Sequence, residues 1–126
     1  MRKLSYPGRS NVLAQNGMAA TSNPLSSMVA TKVLQKGGNA IDAAVASAFA
    51  LSVVEPSMSG IGGRTQILIY SPQSGFHGID ATTAAPNDYD YDNAPKKRYG
   101  YPSIGVPGVV KGLSKALSEH GSLSRE

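Results

Sequence analysis

The chain has 126 residues, 40% hydrophobic and 16% charged, with no cysteine and a formal net charge of +4. That length supports one domain or a piece of one, and the low charge fraction excludes a highly charged disordered tail. The missing cysteines exclude a disulfide scaffold, a thiolate nucleophile and a zinc site with sulfur ligands, and a charge this mild selects no class of partner.

The opening Met1–Gly8 is basic but lacks the apolar run of about 7–15 residues that a secretory signal needs. No export signal is expected, which favours the cytoplasm. Gly17–Ser22 reads as a short buried strand or its end. Asn23-Pro24 then has the form of a helix start, with Asn at the cap and Pro at the first helical position. Leu25, Met28, Val29 and Val33 follow at helical spacing. Gly37-Gly38 ends that helix. Asn39 caps a second, with Asp42 three residues on, favouring its positive end. This second helix is apolar on almost every face, which predicts enclosure by protein. Its most apolar stretch, Ala43–Val54, is shorter than the roughly 20 residues of a membrane span, so no membrane contact is expected. Glu55-Pro56 stops it.

Ser59–Gly63 is a glycine-rich loop. Gln66–Tyr70, rich in β-branched and apolar residues, and Phe76–Asp80 read as strands around the turn Ser71–Gly75, predicting a hairpin. Residues 82–103 are mostly loop. Pro107 opens a third helix with Val109, Leu113, Ala116 and Leu117 on one face, ended by His120-Gly121. No internal repeat is visible. Helix, helix, hairpin, helix is a mixed α and β layer arrangement. A lone hairpin falls short of the three or more strands a stable sheet usually needs, which hints that other residues complete it.

The candidate chemistry is sparse. The Gly60–Gly63 loop follows a helix and enters a strand, the reverse of a phosphate loop, so a tight backbone passage packed against a neighbour is the better reading. Arg64 has the planar fork that grips carboxylates, although an arginine that begins a strand is ordinarily solvated. His77 has no Ser or Asp partner at fixed spacing to make it a general base, and it is far from His120, so no metal site is expected. Asp42 fits a helix-start charge better than a catalytic acid. Thr82 and Thr83 need an activating base to act as nucleophiles. Lys96-Lys97-Arg98 beside Tyr99 and Tyr101 is suggestive of single-stranded nucleic acid. Three charges make only a short patch, however, and a solvated loop with no nucleic-acid partner is favoured.

The order of motifs adds what no single motif supplies. Asn16–Leu25, Gly37–Val45, Val53-Val54-Glu55-Pro56 with Ser59–Gly63, His77–Ala81 with Ala85-Pro86, and Val106-Pro107-Gly108 up to His120-Gly121 together resemble the gamma-glutamyltransferase (gamma-glutamyltranspeptidase) family. The resemblance runs over residues 12 to 123. It implies residues 1–11 as an N-terminal extension and 12–126 as the amino-terminal part of a large subunit. The implied fold is α+β, a four-layer αββα sandwich of the N-terminal nucleophile hydrolase type, incomplete in this chain.

By the same resemblance, a precursor cuts itself and exposes a threonine at the start of a small subunit. The threonine hydroxyl attacks a γ-glutamyl amide, such as that of glutathione, with its own amine as base. The implied partners are the γ-glutamyl substrate, the rest of the large subunit and the small subunit; no metal or organic cofactor is implied. No catalytic residue is expected in this chain, and the chain alone is expected to be inactive. One departure stands out. The family's segment before Ala85-Pro86 carries an arginine that holds the substrate carboxylate, and it would fall at Thr82 or Ala84 here. Neither side chain can supply a bidentate charged contact. Arg64 and Thr82 are therefore the candidate substrate-binding residues, with Arg64 partly replacing the missing grip. The alternative is a non-catalytic or truncated relative.

Overall fold

The computed structural model describes residues 12–94 and 99–124. The extension expected over 1–11 and the basic run Lys96-Lys97-Arg98 lie outside them. Helix α1 spans Pro24–Gln35, and the Asn23 side chain accepts from the Leu25 N–H at 2.9 Å. The expected apolar stripe is not its buried face: Leu25 and Met28 are more than half exposed, while Ser26 and Ala30 are buried. The cause lies in the partner helix. Helix α2, Ala40–Val54, is alanine-rich and lets α1 approach closely. Only small side chains fit between them, and the Ser26 hydroxyl donates to the Ser47 carbonyl at 2.7 Å.

Asn39 and Asp42 form a reciprocal capping box at the start of α2. The enclosure expected for α2 is not met among the described residues. Asp42, Ala43, Val45 and Ser47 are buried, but Val53 is 78% exposed. Helices α1 and α3 pack against α2 and leave part of its surface open.

Strands β1 (Thr65–Ser71) and β2 (Gly75–Ala81) pair antiparallel, with Ile67 opposite Ile79 and Tyr70 opposite Phe76. Gly75 takes φ 79°, which the tight turn requires. The two-residue period puts Ile69 and Ile79 inward. There they meet Val45 of α2 and Val109, Leu113 and Ala116 of helix α3, Val109–His120. The helix starts two residues after Pro107, because Gly108 takes the cap. On the other face of the sheet Leu68, Tyr70 and Phe76 are 75%, 63% and 72% exposed.

The described residues thus form one helical layer on one sheet layer, an α+β arrangement. Residues 12–22, expected to include a strand over Gly17–Ser22, are irregular and almost wholly exposed; no strand among the described residues lies beside them to take their hydrogen bonds. The loop after β2 is closed at its base, where Ala84 and Val106 exchange hydrogen bonds of 3.2 and 2.8 Å.

Asp42 does more than cap. Its carboxylate accepts from the Asn39 N–H at 2.8 Å, the Ser122 hydroxyl at 2.6 Å and the Leu123 N–H at 3.2 Å. The Asn39 side chain donates to the His120 carbonyl at 2.7 Å. The start of α2 is thereby knotted to the end of α3, about 80 residues away. Burial pushes the Asp42 carboxyl up, but the hydrogen bonds from Ser122, Asn39 and Leu123 outweigh it and hold the carboxyl below its ordinary value.

Candidate functional site

Arg64 and Thr82 stand side by side at the open end of the hairpin, at the entry to β1 and the exit of β2, each next to the pair Thr65 and Ala81. The first turn of α3 joins them. The Gly63 carbonyl accepts from the Gly108 N–H at 3.0 Å and the Val109 N–H at 3.4 Å. On its other side Gly108 presses against the end of β2. A Cβ there would sit 2.1 Å from the Ala81 carbonyl oxygen and 3.0 Å from that of Thr82. Only glycine allows this approach. Gly112, one turn on, repeats the demand: its Cβ would lie 2.4 Å from that of Ala81.

The two candidates share this pivot but not a cavity. Arg64 borders a hollow of about 490 Å³ with Ser52, Ser59 and Gly60. Its guanidinium is exposed and has no hydrogen-bond or ion-pair partner among the described residues. Thr82 borders a separate hollow of about 270 Å³, walled by Ile79, Ala84 and Pro107 and edged by Asp80, Lys111 and Lys115. The Asp80 carboxylate accepts from the Thr82 N–H at 3.0 Å and from its hydroxyl. The Thr82 hydroxyl, followed by its N–H, holds the Asp80 carboxyl below the usual range. The Thr82 hydroxyl is thus committed as a donor and keeps its lone pairs free to accept.

The remaining candidates resolve simply. The tight passage expected at the glycine loop holds only at Gly63, whose carbonyl meets the start of α3; a Cβ at Gly60 or Gly62 would have no neighbour within 4 Å, and the crowding falls at Gly108 and Gly112 instead. His77 has Nε2 2.8 Å from the Ser74 hydroxyl, and its ring lies 4.9 Å from that of His120. Two residues far apart in sequence are therefore neighbours, yet no group of three metal-ligating side chains exists among the described residues. No helix among those residues is long and apolar enough to cross a membrane. Lys111 and Lys115 went unnoticed in the sequence. Their spacing of four on a helix places them on one face, which was the available signal.

A family model described as gamma-glutamyltranspeptidase matches residues 26–126. The chain is 41% identical over 117 residues to glutathione hydrolase 2 of Arabidopsis thaliana, covering 90% of this chain and 20% of that protein. It is 39% identical over 123 residues to the glutathione hydrolase proenzyme of Bacillus subtilis, covering 89% of this chain and 21% of that protein. The chain therefore spans about a fifth of the length of these curated relatives.

Among solved structures, the gamma-glutamyltranspeptidase of Helicobacter pylori superposes with TM-score 0.82 at 35% identity, covering 91% of this chain and 36% of that one. A cephalosporin acylase from Bacillus halodurans superposes with the same TM-score and identity, covering 97% of this chain and 24% of that one.

Proposed function

Because this chain belongs to the gamma-glutamyltranspeptidase family, and so to the N-terminal nucleophile hydrolase fold class, we propose that it is the amino-terminal part of the large subunit of an enzyme that transfers or hydrolyses γ-glutamyl amides such as glutathione. The nucleophile in this reading is a threonine outside the chain, freed when a precursor cuts itself. Its amine takes the proton from its hydroxyl as Oγ bonds to the amide carbon. The C–N bond then breaks, and the proton leaves with the amine. The resulting ester passes its acyl group to water or to an acceptor amine. The observation that carries this reading is the family match over residues 26–126. Relatives named as hydrolase proenzymes, about five times the length of the matched segment, support it.

In this reading Arg64 and Thr82 contact substrate from two sides of the Gly108 pivot. Both are exposed, and each borders its own hollow. This chain alone supplies binding and positioning, not turnover. The acyl group is the less constrained part, since the acylase superposes as well as the transpeptidase does. A second reading, a truncated or non-catalytic relative, is favoured by one observation: Thr82 and Ala84 are uncharged where the sequence resemblance puts an arginine.

Mass spectrometry of the native gene product separates the two. Two polypeptides, the second beginning at threonine, together with turnover of a γ-glutamyl anilide, are the expected result. A single uncut chain without turnover overturns the enzyme reading. In the mature enzyme, a KM for that anilide that is unchanged by Arg64→Ala removes Arg64 from the site.

A further inference from the structure

The proposed function makes no use of the meeting of His77 with His120. His77 lies on the inward face of β2, two residues from Ile79 and near the turn of the hairpin. His120 closes the last turn of α3. Both are half-buried, and their ring centres are 4.9 Å apart with the planes at 47°. Each backbone is fixed without help from the rings. Pairing with Ile69 holds His77 in the ladder, and the Asn39 side chain holds the His120 carbonyl at 2.7 Å. No carboxylate stands within ion-pair distance of either ring among the described residues; Glu119, next to His120 in the chain, is taken by Lys115. The pair is also separate from the two hollows, since neither histidine lines them.

We infer that His77 and His120 form a two-ligand site for a borderline divalent transition ion, Zn²⁺ or Cu²⁺, which staples the turn end of the hairpin to the end of α3. Imidazole nitrogen suits these ions. Two imidazoles on one ion, each bonded at about 2.0–2.1 Å, have ring centres roughly 5 Å apart. The rings already stand at that separation, so binding requires no movement of strand or helix. Ser74 supplies the outer contact. Its hydroxyl lies 2.8 Å from His77 Nε2, and by accepting from Nε2–H in the bound form it leaves the Nδ1 lone pair to the metal. A ligating histidine ordinarily gives its second N–H to an oxygen in this way. Two protein ligands leave the other positions of a tetrahedral ion to water, so the site exchanges its metal more readily than a four-ligand structural centre. Mg²⁺ and Ca²⁺ demand oxygen ligands, and the absence of a carboxylate beside the rings selects against them.

The test uses the full-length gene product, stripped with EDTA and carrying no affinity tag. It is treated with diethyl pyrocarbonate at rising Zn²⁺, and histidine modification is read peptide by peptide by mass spectrometry. Zn²⁺ is expected to protect His77 and His120 together, with one midpoint, while Mg²⁺ protects neither. Loss of even an outer-shell partner costs a metal site about 10–100-fold in affinity. Loss of a ligand is therefore expected to raise the midpoint at least about tenfold, at His120 in His77→Gln and at His77 in His120→Gln. Protection of one histidine alone, protection of neither, a His120 midpoint indifferent to His77→Gln, or equal protection by Mg²⁺ overturns the inference. The unmutated protein alone gives the first two and the last of these results, so a variant that fails to fold leaves the test decisive. The footprint is read without turnover of a γ-glutamyl anilide, so the enzyme reading stands or falls separately.

Discussion

Asp42→Asn tests the knot that fixes the ends of α2 and α3. The substitution keeps the shape of the side chain and removes its charge. It also turns one acceptor into a donor, which then faces either the Ser122 hydroxyl and the Asn39 N–H, 2.6 and 2.8 Å from one oxygen, or the Ser122 and Leu123 N–H groups, 3.1 and 3.2 Å from the other. Hydrogen bonds to a charged group are worth about 1.5–3 kcal/mol each. Ser122 and Leu123 are exposed, so water recovers part of the loss. The Asn39 N–H, 2.8 Å from Asp42, is part-buried and recovers less. A net cost of about 2–3 kcal/mol follows, or a fall in Tm of about 10 °C for a chain of this size.

The pH dependence gives a second handle. The folded-state value of Asp42 lies below the ordinary 3.8. Its contribution is therefore fully present above that ordinary value and is lost as the pH falls through the folded one. Urea unfolding of both proteins at pH 7 should show the gap, and the gap should close in acid below pH 4. Amide exchange at Ser122 and Leu123 should quicken in the variant at neutral pH. A gap under about 0.5 kcal/mol at pH 7, within the range of an ordinary surface change, would refute the knot. So would a gap that persists undiminished when the carboxylate is protonated.

Three other outcomes follow from the packing. Gly108→Ala forces a methyl to 2.1 Å from the Ala81 carbonyl; a loss of about 3 kcal/mol, read by chemical denaturation, is expected with amide-exchange changes at both Arg64 and Thr82. Leu113→Ala empties a core position that is 5% exposed and should cost about 2–4 kcal/mol by the same assay. Ser26→Ala removes the buried hydroxyl bonded to the Ser47 carbonyl. Because that carbonyl lies within α2, the cost should stay near 1 kcal/mol, measured as a shift in urea midpoint at constant slope.

Local rules carried the sequence reading of the elements. Asn23-Pro24 and Asn39 with Asp42 are caps whose geometry depends on neighbours within three residues, and both formed. The β-branched and apolar run Gln66–Tyr70, the turn Ser71–Gly75 and the return Phe76–Asp80 likewise set the hairpin. What failed was tertiary. Which face of α1 is buried depended on the alanines of α2, not on the apolar residues of α1. Whether α2 is enclosed depended on what lies around it. Gly17–Ser22 is apolar enough for a strand, but a strand exists only where a partner takes its hydrogen bonds.

The site divides along the same line. Arg64 and Thr82 could be named from the chain because the resemblance pointed at their neighbourhood. Their adjacency follows from the expected hairpin, which sets the entry of β1 beside the exit of β2; the contact both make with Gly108, more than 20 residues beyond Thr82 and more than 40 beyond Arg64, could not be read. A Val106-Pro107-Gly108 run announces a turn before a helix; it does not announce that the glycine is wedged between two carbonyls. That wedge has a consequence for chemistry. Gly108 contacts both the Gly63 carbonyl and the carbonyls of Ala81 and Thr82, so the backbone beside the Arg64 hollow and that beside the Thr82 hollow meet at one glycine. Occupancy of one hollow should register as slower amide exchange in the other, and Gly108→Ala should abolish that communication before it abolishes the fold.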